Sequence, residues 1–374
     1  MQVIIAYRNP DDSGTHLTSR EAKADAIIGC LLGTAVGDAL GLPCEALSKR
    51  RQRRLYPELD GHHFVFGYGM TSDDTEHTCL VAQALITSAG EVQAFARSLA
   101  WRLRFWLLGL PAGIGVATLR ALLNLWMGFP PDRSGVFSAG NGPAMRAALL
   151  GVCYGDEGEK LRALVRASTR ITHTDPKAEF GALAVALAAH LASREDGAGF
   201  TPSNYCRELE ALLGKEGGEL LELVRNSSRS VSAGETTESF AAALGLERGV
   251  TGYTYHTVPV AIHAALSFPR NYLAAVVAAI RCGGDADTTG AIAGAIVGAG
   301  VGEAGIPAEW LEKLAEWPRS VRWMKQLGER LAVVCETEKP QKALRLSPLS
   351  LLARNLVFLL IVLLHGFRRL FPPY

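Results

Sequence analysis

Gly29-Cys30-Leu31-Leu32-Gly33-Thr34-Ala35-Val36-Gly37-Asp38-Ala39-Leu40-Gly41 puts a glycine at every fourth position of a segment whose apolar residues, Ile27, Ile28, Leu31, Leu32 and Val36, recur at helical spacing. Glycine inside a helix costs about 1 kcal/mol relative to alanine. A stripe of it along one face implies very close approach by another helix or a ligand. Residues 288–300 repeat the device with Gly290, Gly294 and Gly298 among alanines. The two segments read as small-faced helices packed against each other at the centre of the molecule. Strand signals are scarce elsewhere, and helical periodicity recurs over 76–89, 91–108, 115–127, 142–151, 158–170, 177–192, 203–213, 217–226, 235–244, 257–267, 270–282, 308–316 and 319–334. The fold class these patterns predict is all-α, a compact orthogonal multi-helix bundle.

Two acidic clusters stand beside the glycine segments. Ser72-Asp73-Asp74-Thr75 follows Gly67-Tyr68-Gly69-Met70, and Asp285-Ala286-Asp287-Thr288 follows Gly283-Gly284. Each sits where a turn opens into a helix. Ser, Thr and Asp are favoured caps there, and acids in a first turn complement the helix dipole. One cap needs one acid, however, and each cluster offers two. Brought together they would supply only hard oxygen ligands, which suit Mg²⁺ or Mn²⁺ and not zinc. Unpaired and buried, the four carboxylates would repel one another strongly. A dinuclear metal site in the centre of the bundle is the sharper expectation, provided the clusters meet.

The chain has 374 residues, and its 38 basic and 37 acidic side chains leave a formal net charge of +1. A near-neutral balance provides no general field for nucleic acid or an anionic membrane. Lys49-Arg50-Arg51-Gln52-Arg53-Arg54 lacks interleaved aromatics and reads as a solvated loop. Seven cysteines form no CxxC pair and sit in apolar or small-residue contexts, as buried thiols of a reducing compartment do. The N-terminus lacks the long apolar run of a secretory signal, so a cytoplasmic location is expected.

The expected organisation is a tail over 1–20, one all-α domain over 21–335, a polar linker over 336–348 and a C-terminal apolar helix over 349–374. The uninterrupted run Leu356–Leu364 makes a helix of about 14 Å. That falls short of the roughly 30 Å core of a bilayer. Docking on the body or on a partner is therefore preferred, with peripheral membrane contact through 349–371 as the alternative.

The ordered set of Gly29–Gly41 with Glu45, Ser72-Asp73-Asp74-Thr75, Gly140-Asn141-Gly142-Pro143-Ala144-Met145-Arg146, Thr172-His173 and Gly283-Gly284-Asp285-Ala286-Asp287-Thr288 resembles the ADP-ribosylglycohydrolase family. The resemblance implies an all-α fold holding two Mg²⁺ or Mn²⁺ ions, with Ser72, Asp73, Asp74, Asp285, Asp287 and Thr288 as ligands. Serine stands at position 72 where the family pattern has threonine. It also implies hydrolysis of the glycosidic bond between ADP-ribose and an acceptor, protein ADP-ribosylarginine first among them. Glu45, Asp74 and Asp287 would be the catalytic residues, with Glu45 handling a proton beside the scissile bond. Gly140-Asn141-Gly142 would cradle a diphosphate at a helix N-terminus, Gly113 and Gly115 would line the ADP-ribose groove, and His173 would lie near the bound nucleotide. Tyr255 would stack on adenine or belong to the core. Asp38 reads as a buried structural hydrogen-bonding group, and the family pattern gives His77 no metal role. The competing reading is a non-catalytic ADP-ribose-binding or crystallin-like relative tethered through its C-terminal helix.

Overall fold

The computed structural model describes residues 19–194 and 199–369. Within them the regular structure is helical, and the only β pairing is isolated bridges. The expected tail over 1–20 lies outside the described residues except for Ser19 and Arg20, which already belong to the first helix, Ser19–Gly41.

That helix and Ala286–Val301 form the centre. A Cβ added at Gly29, Gly33 or Gly37 would lie 2.1, 2.2 and 2.2 Å from the carbonyl oxygens of Gly298, Gly294 and Gly290. The close approach is reciprocal: a Cβ at Gly294 or Gly298 would meet the carbonyl of Gly33 or Gly29 at 2.3 Å. The pairing of low with high residue numbers makes the two helices antiparallel. Tyr272 hydroxyl donates to the Gly33 carbonyl at 2.7 Å and ties a third helix, Tyr272–Ile280, to the pair. Asp73–Ser88, Pro176–Ala192 and Thr254–Ser267 surround this centre and bury most of their length, and Val321–Thr337 packs there through one face.

Four sequence expectations need correction. Lys49–Leu55 is a short helix, not a loop, because Ser48 caps it and Gln52 is buried with its amide on the Ile280 carbonyl at 2.7 Å. The helix expected over 142–151 is broken into Gly142–Met145 and Ala148–Tyr154. Residues 336–348, expected as a polar linker, pack on the body. Val321–Thr337 runs into them, Gln341 donates its amide to the Ile86 carbonyl at 2.8 Å, and Gln83 exchanges two 2.9 Å hydrogen bonds with the Leu344 backbone. Finally, the C-terminal helix spans Pro348–Arg368, 21 residues, long and apolar enough by itself to cross a bilayer. It lies on the body, because Arg354 and Asn355, which interrupt its apolar run, turn inward and are buried. Its outer face leaves Leu349, Leu356, Leu360, Leu363, Leu364 and Phe367 exposed.

Candidate active site

The acidic turn is built from Asp38 outward. Asp38 is fully buried in the glycine-striped helix. Its carboxylate accepts from the Ser72 amide at 2.9 and 3.0 Å, from the Thr75 amide at 3.2 Å and from the Thr75 hydroxyl at 2.5 Å. Its role is the structural hydrogen bonding expected of it. Ser72 caps the helix Asp73–Ser88: its hydroxyl oxygen accepts from the Asp74 amide at 3.3 Å and its hydroxyl donates to Asp74 Oδ2 at 3.1 Å.

The second cluster reaches this turn from the far side of the chain. Thr288 hydroxyl donates to Asp74 Oδ2 at 3.2 Å across 214 residues of sequence. Asp285 sits at the N-terminus of Ala286–Val301, and its Oδ2 accepts from Asn141 Nδ2 at 2.5 Å. Gly283 and Gly284, at φ 68° and 77°, thread between two other segments. Gly284 donates to the Leu47 carbonyl and accepts from the Ala46 amide at 3.1 and 2.8 Å. On its other side the Val250 amide reaches the Gly283 carbonyl, and the Asp285 amide reaches the Val250 carbonyl, both at 2.9 Å. A Cβ at Gly284 would lie 2.0 Å from the Val250 carbonyl oxygen. The loop carrying Glu45 is thus fixed to the strand of backbone that delivers Asp285 and Asp287.

A cleft of about 590 Å³ opens over these groups. Of the expected residues, Glu45, Asp73, Gly113, Gly115, Asn141, Gly142, His173, Asp285, Asp287 and Thr288 line it. Ser72 and Asp74 are buried behind it and connect to it through Thr288. Tyr255 does not line the cleft. It is buried in the main hydrophobic core beside Tyr253, with the Lys177 ammonium 5.1 Å from its ring centroid, as the core alternative expects. Thr118, Ser138, Met145 and Thr251 line the cleft too; Met145 belongs to the Gly140–Arg146 motif, but none of the four had a role read from the sequence.

The loop Gly140-Asn141-Gly142 stands against His173, whose ring carbon is 3.1 Å from a Cβ built on Gly142. The helix it opens is one turn long, so the helix dipole contributes little, and the Gly140 and Asn141 amides are already bonded to Ser138 Oγ at 3.3 Å and the Gly252 carbonyl at 3.0 Å. Arg146, fully buried, holds the turn by donating to the Gly142 carbonyl at 3.0 Å, the Ser168 carbonyl at 3.0 Å and the Thr172 hydroxyl at 2.7 Å. Sequence reasoning gave this arginine no role; the signal was a charged residue set among buried alanines and leucines. Burial and the nearby Arg146 cation push the His173 imidazole down to about 3, so it is neutral at physiological pH and hydrogen bonds through Nδ1 with the Thr172 hydroxyl at 2.9 Å. His77 is likewise held neutral by burial, between Arg146 and the edge of Trp106.

The electrostatics of the site are one-sided. Glu45, Asp73, Asp285 and Asp287 line the cleft, and among the described residues no lysine or arginine does. Burial raises the carboxyls of Asp73, Asp74 and Asp287 well above the usual range, with neighbouring carboxylates adding to it. Burial lifts Asp38 to about 6 against its four hydrogen bonds. Glu45 lies exposed at the rim, where surrounding protein and Asp285 raise its carboxyl and Arg369 opposes them. One oxygen of Asp74 and one of Asp287, both Oδ1, are buried without a hydrogen-bond partner. Buried carboxylate oxygens without partners are costly unless a proton or a cation meets them. The donor set of Asp73, Asp74, Asp285 and Asp287 with the Ser72 and Thr288 hydroxyls fits hard divalent cations in chemistry and charge. Among the described residues no three His, Cys, Asp or Glu side chains already surround one point at ligand spacing, so a cation would be held after these side chains turn toward it.

With this architecture the chain belongs to the ADP-ribosylglycohydrolase family, whose pattern matches residues 19–341. It is 26% identical over 295 residues to the ADP-ribosyl-[dinitrogen reductase] glycohydrolase of Rhodospirillum rubrum, a match covering 78% of this chain and 90% of that protein. It is also 26% identical over 319 residues to the ADP-ribosylarginine hydrolase Tri1 of Pseudomonas putida, covering 82% and 78% of the two chains. Among solved structures, an ADP-ribosylglycohydrolase-related protein complex superposes with a TM-score of 0.60 at 27% identity, over 84% of this chain and 99% of that one.

Proposed function

We propose that this protein hydrolyses the glycosidic bond between ADP-ribose and an acceptor, with protein ADP-ribosylarginine as the leading substrate and two Mg²⁺ or Mn²⁺ ions as cofactors. The observation that carries the reading is the Thr288–Asp74 hydrogen bond at 3.2 Å, which joins the two acidic clusters beneath one cleft that also holds Glu45. A substrate with a diphosphate brings two negative charges to a wall of carboxylates with no lining cation. That is unfavourable unless divalent ions are bound first. Arginine as the acceptor is supported by the relatives named for dinitrogen reductase and for ADP-ribosylarginine.

When bound, the ions would polarise the sugar oxygens and acidify water beside C1. The chain's own residues do the rest. Asp73, Asp74, Asp285 and Asp287 with Ser72 and Thr288 hold the ions, and Asp38 fixes the turn from which three of these residues project. The Gly140-Asn141-Gly142 loop, whose Gly140 and Asn141 amides already bond Ser138 Oγ and the Gly252 carbonyl, lines the groove for the diphosphate together with Gly113 and Gly115, and neutral His173 packs against that loop without adding charge. Glu45, at the rim with a raised carboxyl, is placed to give a proton to the leaving acceptor nitrogen as C1 becomes oxocarbenium-like. Its exposure at the mouth fits a bulky protein acceptor, which must stay outside while the ADP-ribose enters.

The test is a panel of ADP-ribosylated arginine, serine and nucleic-acid substrates, assayed with Mg²⁺ or Mn²⁺ and with chelator. Release of ADP-ribose from the arginine substrate, abolished by chelation, is expected. No release from any member of the panel would leave only a binding protein.

A further inference from the structure

The C-terminal helix lies beyond residue 341, where the family match ends, yet a cation in its second turn and another just past its C-terminus bind backbone beside the cleft. Arg354, 1% exposed, donates to both carboxylate oxygens of Glu316, with Nε at 3.1 Å from Oε2. Its Nη2 also donates to the Thr71 carbonyl at 2.6 Å, and Glu316 Oε1 accepts the Thr71 amide at 2.8 Å. One ion pair therefore holds both backbone groups of the residue that precedes Ser72-Asp73-Asp74. Arg369, the residue after the helix, donates from Nη1 to the Glu45 carbonyl at 3.0 Å and from Nη2 to the Pro43 carbonyl at 2.9 Å. One turn earlier His365 Nε2 meets the Phe64 carbonyl at 2.6 Å, and its ring stacks on Phe64.

The fifteen-residue helical step from Arg354 to Arg369 spans roughly 22 Å at 1.5 Å per residue. A hydrogen-bonded helix of that length hardly changes length, so whatever its two ends grip is kept at a set separation. One end grips the turn of Asp73 and Asp74, and the other grips the loop of Glu45. We propose that this helix is a strut for the cleft, in which Arg354 and Arg369 are positioning residues that fix the acidic turn and the Glu45 loop relative to each other. The catalytic consequence rests on the hydrolase reading above; the structural one does not. Arg369 bonds two carbonyls near the surface, where a hydrogen bond contributes little to stability, so its loss should move the loop without unfolding the chain.

Hydrogen exchange measured by mass spectrometry on the full chain tests this, with Arg369→Ala, Arg369→Lys and Arg354→Lys; the lysine at 354 keeps Glu316 paired and so preserves the fold. Arg369→Ala is expected to speed exchange over 43–48 several-fold and leave 71–75 near its original rate. Arg354→Lys is expected to do the reverse. With the ADP-ribosylarginine substrate, Arg369→Ala should lower kcat roughly tenfold with KM little changed, since misplacing a catalytic group costs rate more than binding. Arg369→Lys should restore part of that loss. Exchange unchanged in both segments for every variant overturns the strut, whatever the activity. An unsubstituted chain that hydrolyses nothing overturns the hydrolase reading instead, and the exchange data still decide the strut.

Discussion

At Asp74 and Asp287 a buried carboxylate oxygen stands without a hydrogen-bond partner while other carboxylates crowd in. Replacing either by asparagine removes a negative charge from the cluster and a ligand from the proposed ion pair. Asp74→Asn and Asp287→Asn should each cut kcat/KM by at least about 100-fold, with Mn²⁺ affinity falling in a calorimetric titration and metal-free thermal stability held or raised. Unchanged affinity would remove these residues from the ligand set. Glu45→Gln should behave differently, losing about 10²- to 10⁴-fold in rate, as deletion of a general acid does, while Mn²⁺ binding persists. Tyr255→Phe should leave KM unaltered because its ring is buried and does not line the cleft. The two acidic motifs were legible in the sequence because each supplies more acid than a cap requires. The roles of Arg146 and of the lining residues Thr118, Ser138 and Thr251 were not, since a single polar residue in a helix or a loop carries no sign of what it faces.

The helices meet through glycine, and the contact explains both the stripe and its sensitivity. A Cβ at Gly37 would sit 2.2 Å from the Gly290 carbonyl oxygen, a backbone atom that cannot swing aside. Gly37→Ala should therefore destabilise the protein by about 3 kcal/mol through overpacking, read from the urea midpoint, despite the better helix propensity of alanine. The spacing of four predicted this pairing because only backbone contact rewards so much glycine. Periodicity also placed most helices within a few residues of their ends. It failed at Lys49–Leu55 and at the break after Met145. In the first, burial of Gln52 and capping by Ser48 outweigh a run of like charges. In the second, Arg146 turns its side chain back to the Gly142 carbonyl and binds Ser168 and Thr172, as the chain leaves helical geometry.

Across the whole molecule the buried acids set a pH dependence. Asp73, Asp74 and Asp287 have carboxyls raised by burial, so the folded state binds more protons than the unfolded one. Stability then falls as pH rises through the folded-state values. Below about pH 6.5 the buried histidines, held neutral by burial, act in the opposite direction, because the unfolded chain takes up their protons. Above that pH the histidines are silent in both states, and the buried thiols of Cys30, Cys79 and Cys282, pushed up to about 12 by burial, add to the aspartates because the unfolded chain ionises them first. Chelator-treated protein should accordingly show a melting temperature that declines from pH 7 to pH 8.5. Mg²⁺ or Mn²⁺ should raise it at both values and more at the higher, since ions bind the ionised form. A flat metal-free profile that ignores the ions would mean that these carboxylates do not form one cluster.

The linear chain determined the helical class, the glycine-to-glycine seam and the two oxygen-rich motifs, because period, small-residue spacing and acid count are local properties. Tertiary structure alone decided that Thr288 touches Asp74, that Tyr255 turns into the core, and that the last helix lies on the body with its arginines on the carbonyls of Thr71, Pro43 and Glu45. Those outcomes depend on where the antiparallel glycine helices carry residues more than two hundred positions apart. No local pattern encodes that distance.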